Sequence, residues 1–256
     1  MKIQGNTILI TGGGSGIGAA LAQRLHDAGN TVIVAGRRQD ALDHAIAGRA
    51  NMHALSLDID TAEGVADFAG RVLAQFPAVN VLVNNAGIMK FEKLDARRDL
   101  TDAAATITTN LLGPIRLIDA LIDHLVKAPD AAIINVTSGL AFVPLTVAPT
   151  YNATKAAIHS YTVSLRAELK GKVEVIELAP PGVQTELTPG QENRPGYLPL
   201  EDFIDEITAL LQTQPTPTEI LVERVKPLRY AEAQGKFDAT LMQLNEAAAK
   251  ARANQP

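Results

Sequence analysis

The chain reads as an α/β protein: a doubly wound parallel sheet of about seven strands with helices on both faces. Three observations predict it. Short, nearly all-apolar runs recur along the chain, as expected of strands covered on both faces. Segments of helical spacing separate these runs, long enough for the crossovers that parallel strands need. The first run leads directly into a glycine-rich turn and then a helix.

The elements follow in order. The first strand spans residues 7–10, and a helix spans 16–28. A second strand at 31–35 precedes a short helix at 41–47. The third strand, 53–57, leads to a helix over 61–75. The fourth, 80–83, precedes a long helix over 101–127. The fifth, 132–136, leads into the helix that begins at Tyr151, and a sixth follows at 173–178. Residues 219–222 are a seventh candidate. Right-handed crossovers then wind helices onto both faces. Residues 185–199, rich in Pro, Gly and polar side chains, read as a loop of the kind that lids a site. Residues 229–253 read as a charged, alanine-rich helix.

Composition narrows the partners. At 256 residues and 46% hydrophobic content, the chain can form one domain over 1–256. A net charge of −5 gives no reason to expect nucleic acid or an anionic membrane. Cysteine is absent, which excludes disulfides, thiolate catalysis and thiolate metal sites. The five histidines show no ligand spacing, so no metal is expected. His159 reads as a packing or interface residue. The start of the chain lacks the apolar region of a signal peptide, and the apolar stretch 131–149 is interrupted by Asn135, Ser138, Gly139 and Pro144. The expected location is the cytoplasm.

Two motifs carry chemistry. The turn Thr11-Gly12-Gly13-Gly14-Ser15-Gly16-Ile17-Gly18 lies between strand and helix in the first βα unit, where glycines admit a pyrophosphate close to the backbone. The end of the second strand, where an acid would bind a ribose 2′-hydroxyl, holds Gly36, Arg37 and Arg38 instead. Two guanidinium groups suit a 2′-phosphate, so the expected cofactor is NADP(H), with Arg37 the better candidate. Asp40 reads as a helix-start residue. Farther on, Tyr151 and Lys155 share a helix face, with Ser138 thirteen residues before the tyrosine. A cation beside a phenol should depress its pKa and let it trade a proton with a carbonyl or alcohol oxygen.

Taken together, these motifs resemble the short-chain dehydrogenase/reductase family in its compact form. The match is carried by the Thr11 to Gly18 turn, Asp58-Ile59, Asn84-Asn85-Ala86-Gly87, Asn110, Ser138, Tyr151-Asn152-Ala153-Thr154-Lys155, and Pro181-Gly182 with Thr185. The segment 220–229 is also similar to the DltE-like subgroup. The resemblance implies a Rossmann-type oxidoreductase domain. In it Tyr151 is the general acid or base, Lys155 lowers its pKa and holds the nicotinamide ribose, and Ser138 orients the substrate oxygen. It implies that Asn110 holds a water linking Lys155 to solvent. Asp58 and Ile59 would flank the adenine, and Asn85, Ala86 and Gly87 would lie beside the cofactor. Pro181, Gly182 and Val183 would contact the cofactor, and Thr185 would bind its nicotinamide carboxamide or phosphate. With Gly12, Gly14, Ser15, Gly16, Ile17, Gly18, Arg37 and Arg38, these complete the expected cofactor site.

The expected activity is hydride transfer between NADP(H) and a ketone, aldehyde or alcohol. Met89, Leu140, Phe142, Val143 and Leu187 suggest a pocket for an apolar or aromatic small molecule. A sugar-nucleotide epimerase would need a larger C-terminal region. The alternative outside catalysis is an NADP(H)-sensing regulatory protein. Apolar residues on more than one side of the helices at 101–127 and 151–170 point to a homodimer or homotetramer, an arrangement common in the family.

Overall fold

The computed structural model describes residues 1–253. Seven strands form one parallel sheet in the order β3-β2-β1-β4-β5-β6-β7. They are β1 (Thr7–Thr11), β2 (Thr31–Gly36), β3 (Met52–Ser56), β4 (Val79–Asn84), β5 (Ala132–Val136), β6 (Glu174–Leu178) and β7 (Glu219–Ile220). The chain works outward from β1 to β3, then returns to build from β4 to β7. The direction of winding therefore switches between β1 and β4, where an open α/β sheet forms its ligand crevice.

Alternation along β1 sends its side chains to two cores. Ile8 and Ile10 share one with Leu21 and Leu25 of α1 (Gly16–Asp27) and with Phe203 and Ile207 of α7 (Leu200–Gln212). Leu9 shares the other with Phe68 and Val72 of α3 (Ala62–Gln75) and Leu117 and Leu121 of α5 (Gly113–Leu125). Burial of one such side chain contributes about 1.5–3 kcal/mol. These two cores hold the sheet rigid behind the strand ends.

The sequence reading needs three corrections. The long fourth helix is broken: α4 (Thr101–Ile107) passes through a π turn (Thr108–Leu112) into α5. Pro114 has no N–H to offer the carbonyl of Asn110, so a regular ladder cannot run through this point. Gly113 instead donates to Thr108, five residues back. A side chain at Gly113 would also meet Ile59 at 2.6 Å. The C-terminal helix is likewise two pieces, α8 (Lys226–Arg229) and α9 (Phe237–Ala253), with Gly235 at φ 65° between them. The loop 185–199 carries a short turn of helix (Gln191–Asn193), and Val183 and Leu198 bridge across its base. The remaining helices are α2 (Gln39–Ile46), with Asp40 in its first turn as expected, and α6 (Pro149–Glu168).

Candidate active site

The glycine turn is shaped by its backbone. Gly12 has φ 66°, and a side chain there would lie 2.9 Å from the Cα of Ala86. Gly16 has φ 52°. Gly18 stands back from the cleft and serves packing: a Cβ would sit 2.3 Å from the carbonyl oxygen of Gly12. Ser15 precedes α1 and makes no side-chain cap, so nothing from Ser15 covers the first-turn N–H groups. Thr11 ties this turn to the end of β4. Its hydroxyl accepts the N–H groups of Asn85 (3.1 Å) and Ala86 (3.0 Å), while Asn85 Nδ2 donates to the Thr11 carbonyl at 3.0 Å. The role of Thr11 was not visible in sequence.

The two arginines differ. Arg38 Nη2 donates to Ser15 Oγ at 3.2 Å, over the glycine turn. Arg37 Nη1 pairs with Asp60 Oδ2, also at 3.2 Å. Asp60 thus brings a carboxylate to a place where the sequence showed none near Arg37. Its other oxygen accepts from Thr109 (2.6 Å), and its carbonyl accepts from Arg116 (3.1 Å), which joins this corner to the π turn and α5. Asp58 is exposed and accepts the N–H of Asp60. Ile59 lines the cleft and Asp58 does not.

At the other end, Ser138, Tyr151 and Lys155 are all buried and all line the cleft. The space measures about 710 Å³ and also reaches Gly12, Gly14, Ser15, Gly16, Ile17, Arg37, Arg38, Asn85, Ala86, Gly87, Pro181, Val183 and Thr185. The structure therefore brings together most of the residues singled out in sequence. Gly18, Asp58, Asn110 and Gly182 do not line it.

Electrostatics here overturn one expectation. The Tyr151 phenol is pushed up to about 12, chiefly by burial, against a lowering influence from Ser138. Lys155 is pulled down to about 8 by burial. Its Nζ donates to the carbonyl of Val136 at 2.8 Å and lies 5.6 Å from the centre of the Tyr151 ring. The phenol is therefore protonated at neutral pH, because burial outweighs the lowering bond to Ser138.

Asn110 is held in place by three hydrogen bonds. Its Nδ2 donates to the carbonyl of Ile88 (2.8 Å) and to Thr154 (3.3 Å), and its Oδ1 accepts the N–H of Ile88 (2.8 Å). The side chain clamps the segment after β4, and both Nδ2 hydrogens are used, which leaves the second lone pair of Oδ1 and the main-chain carbonyl to meet a water. Asn84, Asn135 and Thr162 form a buried polar chain below, with links of 2.9 Å each.

The substrate wall also differs from expectation. Met89 and Leu187 line the cleft, with Ile88 and Phe91. Leu140, Phe142 and Val143 do not; Val143 is fully buried, and Phe142 stacks edge-on against His159. Gln191 was missed in sequence. Its Nε2 donates to Thr185 Oγ1 (3.0 Å) and to the carbonyl of Val183 (2.9 Å). Thr185 keeps its own O–H free to donate elsewhere. His159 is not merely a packing residue: it lies 2.8 Å from the buried Glu177. Glu219 adjoins this pair, which makes a His–Glu–Glu group drawn from distant segments, but Arg229 already holds Glu219 in an ion pair of 2.9 Å.

This geometry has relatives. Residues 6–195 match the family model described as short chain dehydrogenase. The chain belongs to that family. It is 40% identical to the uncharacterised oxidoreductase DltE of Bacillus subtilis, over 96% of this chain and 98% of that protein, which places it in the DltE-like group. Among solved structures, a short chain dehydrogenase from Burkholderia cenocepacia in complex with NADP superposes with a TM-score of 0.80. It is 27% identical, over 95% of this chain and 99% of the other. A 3-ketoacyl-(acyl-carrier-protein) reductase from Brucella melitensis, complexed with NADH, gives 0.75 at 27% identity, over 84% and 93%. The chain is therefore an oxidoreductase of a family whose structures hold NAD in some cases and NADP in others. No helix among the described residues is long and apolar enough to cross a membrane.

Proposed function

We propose that this protein is an NADP(H)-dependent carbonyl reductase, interconverting a ketone or aldehyde and an alcohol on an apolar or aromatic substrate. One observation carries the reading: Ser138, Tyr151 and Lys155 are buried side by side on the cleft that the glycine turn opens. The turn fits a dinucleotide. Gly12 and Gly16 hold the positive φ that brings backbone close to a pyrophosphate, and Ser15 leaves the N-terminus of α1 uncapped. Arg38 over the turn and Arg37 beside it would take a 2′-phosphate, the first without a competing carboxylate in contact.

When bound, the nicotinamide supplies or accepts the hydride. The protein's share is the proton. Tyr151, protonated at neutral pH, acts as general acid toward the substrate oxygen in reduction. Ser138 shares that oxygen and orients it. Lys155, near 8, is suited to return a proton toward the phenol and to hold a ribose hydroxyl through Nζ. Asn110 fixes Ile88 and, with it, Gly87 close to Lys155. Ile59 lines the cleft where the adenine is proposed to lie, and Thr185, braced by Gln191, donates to the nicotinamide end. Met89, Phe91 and Leu187 give the substrate an apolar wall, with residues 185–199 as its lid.

We place residues 1–256 in one domain, of which 254–256 lie outside the described residues, and expect the cytoplasm as its setting. Ile107 and Leu112 before α5 and Val163 on α6 are exposed, an apolar surface suited to a homodimer or homotetramer. The functional test is a panel of ketones and aldehydes followed by NADPH absorbance. Turnover of apolar carbonyls is expected. Tight NADPH binding with no turnover on any member would instead support the regulatory alternative.

A further inference from the structure

The corner that presents Ser138 is bolted to the catalytic helix from behind. β5 ends at Val136, and Thr137 and Ser138 follow. Lys155 holds the carbonyl of Val136. Thr137 Oγ1 donates to Glu177 Oε1 at 2.7 Å. His159, one turn beyond Lys155 on α6, places Nδ1 at 2.8 and 3.0 Å from the two oxygens of the same carboxylate. Glu177 has no exposed surface. A carboxylate in that position without partners costs several kcal/mol, so both contacts are strongly held.

The network extends to the segment whose sequence resembles the DltE-like group. Glu177 of β6 stands opposite Glu219 of β7, and Arg229 grips Glu219 through Nε (3.1 Å) and Nη2 (2.9 Å). The Arg229 guanidinium covers the ring of Phe142 at 4.8 Å, and that ring meets His159 at 5.0 Å. Leu228 and Val225 fill the space where a Gly139 side chain would lie, at 2.7 and 2.9 Å. Residues 219–229 therefore close a ring behind Ser138.

We propose that His159 and Glu177 are positioning residues: they fix Thr137, and through it Ser138, in the orientation that Tyr151 requires. This rests on the assignment of Ser138, Tyr151 and Lys155 to catalysis. The groups facing His159 are Glu177 from β6, Glu219 from β7 and Arg229 from α8. The bond to Glu177 raises the imidazole above its ordinary pKa, and Glu219 adds to this, while burial and Arg229 oppose it. The sign follows from a raised pKa: the charged pair is at full strength in acid and is lost as pH rises through the folded value. At alkaline pH the neutral imidazole can still donate through Nδ1, but Arg229 is then the one cation among these groups, and the hold on the Ser138 corner weakens.

The test measures kcat and KM from about pH 6 to about pH 10 for the parent, His159→Asn, His159→Leu and Glu177→Gln, with Tyr151→Phe as reference. Leucine should lower kcat about tenfold or more, because small displacements of reacting groups are costly, and leave KM for NADPH unchanged. Asparagine keeps a donor at the Nδ1 position but cannot titrate. It should recover most of the loss and displace the alkaline limb. Glu177→Gln should return the His159 titration, followed by proton NMR, to that of an ordinary histidine. If His159→Leu does not fold, the asparagine and glutamine variants decide alone. Profiles that superimpose on the parent's, with an unmoved His159 titration, overturn the proposal. A fully active Tyr151→Phe would bring down the catalytic assignment, and this inference with it. An inactive one beside unchanged His159 and Glu177 variants sinks only this inference.

Discussion

The two ends of the cleft are made of different material. At the pyrophosphate turn the working groups are backbone, shaped by glycines of which Gly12, Gly13 and Gly18 have no room for a side chain, with the arginines beside it. At the catalytic end they are buried side chains, each held by a partner on another segment of the chain: Lys155 by Val136, Asn110 by Ile88, Thr137 by Glu177. The glycine turn therefore tolerates no side chain at those three positions. The side-chain end tolerates changes of shape but not of proton or charge. The lesson is that one cleft separates binding from chemistry, and each half breaks in its own way.

Glycine substitution should break the first half most severely. Gly18→Ala places a methyl 2.3 Å from the Gly12 carbonyl oxygen, and backbone cannot yield as a side-chain tip does. A loss of about 3 kcal/mol or more is expected, with NADPH binding lost alongside. Gly70 of α3 has nothing within 4 Å of its side-chain position. Gly70→Ala should instead stabilise, by roughly 0.5–1 kcal/mol. Denaturant melts of the two variants make the contrast.

Lys155 tests the second half. Its pKa falls from 10.5 to about 8 because burial disfavours the ammonium. Below the folded value both states are charged and the burial cost is felt in full. Stability should therefore rise as pH climbs from about 8 toward 10. Lys155→Met should abolish turnover and yet be more stable than the parent at neutral pH, by up to roughly 3 kcal/mol. Its thermal midpoint should lack the alkaline rise. A variant less stable than the parent at pH 7 would mean that the bond to Val136 outweighs desolvation.

A smaller effect separates the two arginines. Arg38→Asp should lower the NADPH-to-NADH ratio of kcat/KM by about 10–100-fold, since charge reversal turns attraction into repulsion. Arg37→Asp should do less, because Asp60 already takes part of its charge. Equal effects would mean that the Arg37 pair opens when the cofactor binds.

Much of this was legible in sequence, for physical reasons. Apolar runs separated by helical segments dictate a parallel sheet, and the order of motifs around Gly12, Ser138, Tyr151 and Lys155 set out the cleft. Glycine is nearly irreplaceable where φ is positive, so the nucleotide end announces itself. Local chemistry in Gly113-Pro114 was a readable signal for the π turn, since proline removes a helix donor. What stayed hidden depends on distance along the chain. Nothing in sequence says that His159 faces Glu177, that Asp60 reaches Arg37, or that Phe142 turns into the core. The pKa of Tyr151 was misjudged because spacing shows a neighbouring charge but not desolvation.

The central claim is that binding and proton transfer are separable, with Tyr151 as the proton donor. Tyr151→Phe keeps the ring and removes only the hydroxyl. NADPH titration of this variant, paired with kcat on the best carbonyl substrate of the panel, tests the claim directly. The account predicts an unchanged dissociation constant and a kcat lower by about 10²–10⁴-fold. A kcat within a factor of a few of the parent's, or a loss explained by weakened NADPH binding, would contradict it.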